Sequence, residues 1–270
     1  MAEKKIRVAI QGIKASFHDE AAFNYFGANI QTIECTSFRQ TCEALLNKEA
    51  DYVVGSLLTN YSLLQEYDFQ ICGEVAIPIQ LHLLALPGVK FENIKYVQSH
   101  PIAIRQCVDF FQDYPQLQIL EKNDTAACAK EVRDKNLLDT VAIANQQAAQ
   151  LYGLEILERR IETNKKNFTR FLILADHAAE VADADKASLV FQVSHQIGSL
   201  VRVLEIFAKN DLNLVKIQSM PVIGKPSKYN FYVDLTWTNS VKFNEILPQI
   251  LKYTSNLTVM GVYKHKALPY

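Results

Sequence analysis

The chain has 270 residues, enough for one large domain or two ordinary ones. Hydrophobic residues at 49% and charged residues at 21% supply a packed core and exclude disorder over most of the chain. The 28 basic and 29 acidic side chains nearly cancel, so there is no basic field for a nucleic acid or an anionic membrane, and 9 glycines and 8 prolines exclude collagen-like or linker-rich architectures.

In chain order, Ile6–Ile10 reads as a short apolar strand, Gln11–Ser16 as a turn, and the segment after Ser16 as a helix with Ala21, Ala22, Phe23 and Phe26 on one side. Ser16 and Asp19 have N-cap spacing, and strand, glycine turn and helix start together present backbone N–H groups to an anion. Strand 30–35, helix 37–46, strand 51–54 and helix 56–67 follow, then two strand segments in 69–86 around Pro78. Tyr96-Val97 leads through Ser99-His100-Pro101 into a helix to Phe111. Strand 117–120, a helix 125–135 capped by Asp124 or Thr125, strand 141–144, helix 146–152 ending at Gly153 and strand 171–174 complete an alternating α/β pattern. The small, acidic stretch 175–187 lacks periodicity and reads as a linker. Beyond it, strand 188–193, helix 199–210, strands 214–221 and 230–236, helix 241–254 and strand 257–264 give the βαββαβ order of a ferredoxin-like domain.

The five cysteines (Cys35, Cys42, Cys72, Cys107, Cys128) form no C-x-x-C pair and read as reduced thiols of a cytoplasmic protein. The N-terminus has no signal-peptide pattern, and no apolar run is long enough to cross a bilayer. The six histidines are scattered without metal-ligand spacing, and neither G-x-x-x-x-G-K-[ST] nor G-x-G-x-x-G occurs, so neither a metal nor a cofactor is expected.

Several segments, in order along nearly the whole chain, resemble the prephenate dehydratases that carry a C-terminal ACT domain. Asn167-Phe168-Thr169-Arg170-Phe171 resembles the family's N-x-T-R-F signature, Asp124-Thr125-Ala126-Ala127-Cys128-Ala129 its D-T-A-G-x-A helix start, and Gln11–Phe17 its N-terminal glycine loop. Ser99-His100-Pro101 and Gly73-Glu74-Val75 fit as well. Further on, Gly198-Ser199-Leu200 resembles the G-A-L motif and Gln218-Ser219-Met220-Pro221 the E-S-R-P motif, with Asn213-Leu214 just before it. Three positions depart. Ala15 and Ala127 stand where the family usually has glycine, and each adds a Cβ. The family's Glu-Asn-Ser/Thr segment falls, in an ungapped match, on Ser56-Leu57-Leu58, with Tyr61-Ser62 on its later Gly-Ser. Ser56 itself, Glu74 or Asp124 are the neighbours that could make up for the missing carboxylate.

The resemblance implies a two-lobed catalytic domain over 1–177 like a periplasmic binding protein, a linker over 178–187 and an ACT regulatory domain over 188–270. It implies a homodimer or homotetramer that removes water and carbon dioxide from prephenate to yield phenylpyruvate. Thr169 would meet the leaving hydroxyl, Arg170 would pair a carboxylate through its planar fork, and Asn167 would complete the catalytic motif. Ser16, Ser99, His100, Thr125 and Phe171 would line the substrate site. L-Phenylalanine would bind as feedback inhibitor at Gly198, Ser199, Leu200, Asn213, Leu214, Gln218 and Ser219. Two other readings stay open: a homologue without turnover that senses phenylalanine, and a dehydratase of arogenate, the amino analogue of prephenate.

Overall fold

Strand β1 (Ile6–Gln11) is a run of small and β-branched side chains that bury Val8, Ala9 and Ile10 completely. It pairs in parallel with β2 (Ile30–Cys35) and β3 (Tyr52–Ser56), and the crossovers are helices α1 (Phe17–Phe26) and α2 (Phe38–Leu46). Ser16 and Ser37 cap them, each accepting through its hydroxyl the backbone N–H three residues on. Strands β4 (Gln70–Pro78) and β10 (Phe168–Ala175) complete the sheet in the order β2-β1-β3-β10-β4. The structure, a computed structural model, describes residues 5–56, 63, 66–177, 181, 183–238 and 243–266. Leu57, Leu58, Tyr61 and Ser62, and most of the helix expected over 56–67, lie outside them.

A second five-stranded sheet has the order β7-β6-β8-β5-β9, formed by β5 (His82–Ala85), β6 (Tyr96–Ser99), β7 (Gln118–Glu121), β8 (Thr140–Ala144) and β9 (Glu155–Glu158). Strand β6 is parallel to β7 and β8, and β5 is antiparallel to β8 and β9. The helices are α3 (Pro101–Arg105), α4 (Val108–Asp113), α5 (Thr125–Asp134) and α6 (Gln146–Tyr152). The core here is alanine-rich: Ala126, Ala129, Ala142, Ala144 and Ala148 are fully buried with Leu84 and Val132, so α5 approaches β8 closely.

The last six elements are β11 (Lys186–Gln192), α7 (Ser199–Lys209), β12 (Asn213–Pro221), β13 (Tyr229–Thr236), α8 (Phe243–Leu251) and β14 (Ser255–Tyr263), in the βαββαβ order read from the sequence. Their antiparallel sheet has the order β12-β13-β11-β14, and Leu189, Phe191, Val203, Phe207, Val233 and Ile250 fill its core.

The chain divides into two compact units, one of Met1–Leu63, Val75–Leu172 and Leu268–Tyr270, the other of Leu64–Glu74 and Ile173–Ala267. Strands β4 and β10 each run from one into the other. In the second unit, Glu74 and Lys186 are both buried, with Lys186 Nζ 3.0 and 2.9 Å from the two carboxylate oxygens. His265 Nδ1 lies 2.9 Å from the same carboxylate, and the Lys266 N–H donates to it at 3.1 Å. Nearby, the Ser188 hydroxyl donates to Asp234 at 2.5 Å and lies 2.7 Å from the Tyr263 hydroxyl.

Four sequence expectations need correction. The helix expected from Pro101 to Phe111 is two helices, α3 and α4, separated at Gln106-Cys107. Strand β9, with glutamates at both ends, had no expected counterpart. Strand β10 begins at Phe168, three residues before the expected start. Lys186 and Ala187 belong to β11, where burial and pairing with Thr236 and Leu235 hold them, rather than to a linker.

Candidate active site

A cavity of about 540 Å³ opens within the first unit where the C-terminal ends of β1, β2 and β3 meet the starts of α1, α3 and α5. Ser16, His100, Thr125, Thr169 and Phe171 all line it, although they come from four separate stretches of chain. The turn that brings Ser16 there needs unusual backbone. Gly12 has φ +102°, and a Cβ at this position would collide with the Asp124 carboxylate. Ala15 sits at φ 65°, the left-handed region that glycine occupies without strain, so the alanine in this turn is a strained residue. The Ala15 N–H is held by Asp19 Oδ2 at 2.9 Å, and Ser16 Oγ accepts the Asp19 N–H at 3.3 Å.

Asp124, and not Thr125, caps α5: its Oδ1 accepts the Ala127 N–H at 2.7 Å. Thr125 is thereby left as the first helical residue, on the cavity wall. Burial pushes the Asp124 carboxyl above its ordinary range, against the hydrogen bonds from the Ala127 and Ala126 N–H groups. His100 caps α3 through Nδ1, which accepts the Ile102 N–H at 3.2 Å. A neutral His100 therefore carries its proton on Nε2.

Not every expected residue reaches the cavity. Ser99 is fully buried and donates to the Ile143 carbonyl at 2.7 Å, so its hydroxyl supports the floor of β6. Thr169 and Phe171 both face the cavity, so strand alternation turns Arg170 to the opposite side of β10. Asn167 instead lines a smaller neighbouring cavity with Arg105, Gln106, Val108, Thr163 and Asn164. Glu74 is not on the wall; its carboxylate is taken up by Lys186 and His265.

Sequence reasoning passed over other wall residues. His18 meets the Phe171 ring edge-on at 5.0 Å, and desolvation lowers its pKa to about 4, so the imidazole is neutral at physiological pH. Its signal was available: it stands two residues beyond the Ser16 cap, in the same first turn. Gln11, Glu34, Cys35, Gln106 and Asn123 also line the cavity, and so does Ser56, which the sequence singles out as one stand-in for the missing carboxylate. Among the described residues of the wall there are two carboxylates, Glu34 and Asp124, and no lysine or arginine.

The C-terminal sequence motifs divide. Gly198, Ser199 and Leu200 line a cavity of about 420 Å³ with Phe231 and residues 193–197. Gly198 has φ +81° at the start of α7, and the Ser199 hydroxyl lies 2.8 Å from that of Ser194. Asn213, Leu214, Gln218 and Ser219 lie along the edge strand β12 and not on that cavity; Leu214 packs against the core of its sheet.

The first unit is thus an α/β unit whose cavity lies where capped helix starts open, the usual place for a small-molecule site in such folds. The prephenate dehydratase family model matches residues 8–179. The chain belongs to the prephenate dehydratase family, a family of lyases. A bifunctional chorismate mutase/prephenate dehydratase of Aquifex aeolicus is 36% identical over 97% of this chain and 74% of its own length. An arogenate dehydratase/prephenate dehydratase of Arabidopsis thaliana is 33% identical over 97% of this chain and 72% of its own. Among solved structures, the prephenate dehydratase of Arthrobacter aurescens in complex with L-Phe has a TM-score of 0.86 at 24% identity, covering 96% of this chain and 90% of that one. The structure of GqqA, described as a novel type of quorum quenching acylase, has a TM-score of 0.84 at 26% identity, covering 96% and 98%. Among the described residues, no helix is long and apolar enough to cross a membrane.

Proposed function

We propose that this chain converts prephenate to phenylpyruvate with Thr169 at the leaving hydroxyl. The observation that carries the reading is the position of Thr169 on the cavity wall together with Ser16, His100 and Thr125. In the reaction the bond from the ring to its carboxylate breaks, and the electron pair left on the ring closes the aromatic system as the hydroxyl departs. The departing oxygen takes up one proton and leaves as water, the carboxylate as carbon dioxide. Aromatisation drives the step, so the chain has to orient the substrate and assist the hydroxyl rather than supply a strong acid. The Thr169 hydroxyl donates a hydrogen bond to the leaving oxygen, a role within reach of a group too weakly acidic to ionise. The N-terminal turns of α1 and α5 offer partial positive charge to the substrate's carboxylates.

The βαββαβ region that begins with β11 at Lys186 is read as an ACT domain that binds L-phenylalanine, the pathway's end product, around Gly198, Ser199 and Leu200, and 178–185 as the linker before it. Asn213, Leu214, Gln218 and Ser219 would act from a second copy of the chain in a dimer or tetramer, because β12 is an edge strand with Val215 and Ile217 exposed. The five cysteines are free thiols, as suits the cytoplasm. Purified protein incubated with prephenate should release phenylpyruvate, and the rate should fall on adding L-phenylalanine and, far more, in Thr169→Ala. Phenylalanine binding without turnover would instead mark a sensor.

A second reading is favoured by the carboxylates of Glu34 and Asp124 on a wall without lysine or arginine among the described residues. Such a wall suits the ammonium group of arogenate. The ratio of kcat/KM on arogenate to that on prephenate separates the two substrates.

A further inference from the structure

Prephenate carries two carboxylates, yet the main cavity presents two carboxylates of its own and no cationic side chain among the described residues. A cation stands next door. The smaller cavity of about 290 Å³ adjoins the main one, and Gln106 lines both. Its walls are braced against each other: the Thr163 N–H donates to the Gln106 carbonyl at 2.7 Å, and the Thr163 hydroxyl accepts the Asp109 N–H at 3.2 Å. Arg105 lines this cavity, while Arg160 and Lys165, close in sequence to Thr163 and Asn164, are not on its wall, and the three differ in what holds them. Arg160 is paired with buried Glu162 at 3.1 Å, and Lys165 Nζ is turned onto the Arg160 and Glu162 carbonyls. Arg105 donates through Nε to the Pro101 carbonyl at 3.3 Å, and among the described residues no carboxylate pairs with it.

We propose that this side cavity is a carboxylate subsite in which Arg105, flanked by Asn164 and Asn167, holds the pyruvyl carboxylate of the substrate. The inference rests on the dehydratase reading above and adds to it the anchor that the main cavity lacks. Geometry supports the assignment. The Asn167 carbonyl accepts the Ile79 N–H at 2.8 Å, so Asn167 continues the strand of Thr169. Two residues along one strand face are about 6.5 Å apart. The leaving hydroxyl and the pyruvyl arm project from opposite ends of the prephenate ring. A substrate with its hydroxyl at Thr169 can thus extend its pyruvyl carboxylate towards Asn167 and Arg105. The guanidinium offers two parallel N–H donors to such a group, and the asparagine amides can satisfy the remaining lone pairs.

The product phenylpyruvate keeps this carboxylate and has lost the other, so it is the probe. Calorimetry with phenylpyruvate on the intact protein should show R105Q binding about ten- to a hundredfold more weakly than the parent, the loss of one charge-assisted pair. R105K, which keeps the charge without the fork, should fall between them. R133Q, a change in the last turn of α5, should bind like the parent. With prephenate, R105Q should raise KM by a similar factor while kcat stays within about threefold. Equal phenylpyruvate affinity in the parent and R105Q, or a parent that does not bind phenylpyruvate, overturns the subsite. So does a KM increase with unchanged phenylpyruvate affinity, which would place the other carboxylate at Arg105. A parent that binds phenylpyruvate through Arg105 but leaves prephenate intact upholds the subsite and refutes the dehydratase activity.

Discussion

The cavity wall of the first unit and the buried cluster of the second use polar groups in opposite ways. In the first, Ser16, Thr125, His100 and Thr169 stand on a cavity wall, and among the described residues the Ser16 and His100 side chains each accept one nearby backbone N–H. In the second, Glu74 is surrounded by Lys186, His265 and the Lys266 N–H, and Ser188 by Asp234 and Tyr263. A polar group whose remaining hydrogen-bonding capacity faces a cavity is available to a ligand. One whose partners are all protein groups fixes the fold, because removing any member strands the others. Buried polarity by itself therefore does not mark a site; the direction of the unspent lone pairs and protons does.

The largest effect that tests this contrast is on turnover. Thr169→Ala should lower kcat by about a hundred- to ten-thousandfold, the range for losing assistance to a leaving group. Circular dichroism and L-phenylalanine binding should match the parent, since the change touches only the cavity of the first unit. A variant that unfolds, or one that keeps full turnover, breaks the division between the two units. The converse test is on stability. Glu74→Leu leaves the Lys186 ammonium buried without its counter-ion and should cost about 3–5 kcal/mol in urea unfolding, whereas Glu74→Leu combined with Lys186→Met should recover much of it. Equal losses in the single and double variants would mean that the pair is not a closed structural unit.

A third test lies at the cavity wall and reads out in pH. His18 has a folded-state pKa of about 4 against 6.5 when unperturbed, so the unfolded chain binds the extra proton between those values. Its contribution to stability is complete above pH 6.5 and is lost as pH falls towards 4. His18→Phe should flatten that part of the stability profile while conserving the ring contact with Phe171. An unchanged slope would show that the imidazole is solvated and that the wall beside Phe171 is wet.

How far the sequence reveals this depends on the length scale of each feature. Most strand and helix positions follow from local periodicity, and the Ser16 cap from residues within one turn; these emerge as read, while the structure chooses Asp124 over Thr125 for the other cap. Placements that hang on a distant partner do not. Ser99 carries a motif hydroxyl, but the Ile143 carbonyl on the neighbouring strand consumes it. Arg170 is next to Thr169 in sequence and faces the other way because β10 begins at Phe168, a boundary set by the sheet rather than by the motif. Strand β9 forms because β5 offers an edge to a segment bounded by glutamates. Arg105 and Val108 line one cavity with Asn167 across a helix break at Gln106-Cys107, which is invisible in a run that reads as one helix to Phe111. The family motifs name the strands and turns that build the cavity; the sheets decide which of their side chains enter it.

The smallest effect separates two alanines that look alike in the sequence, each standing where the family usually carries glycine. Ala15 is held at φ 65°, where a Cβ is strained by about 1–2 kcal/mol. Glycine there would relieve the strain, but it would also remove a buried methyl, about 0.8 kcal/mol, and loosen the unfolded chain by a further ~0.5–1 kcal/mol. These terms nearly cancel. Ala127 is in the right-handed first turn of α5, where glycine relieves nothing and costs about 1 kcal/mol. Ala15→Gly should therefore leave the unfolding midpoint close to that of the parent, while Ala127→Gly should lower it. Equal destabilisation by both would mean that the turn between Gly12 and Ser16 relaxes around Ala15 in solution. The N–H groups before α1 would then not be set in place ahead of the substrate, which would leave α5 as the preformed helix start on the cavity.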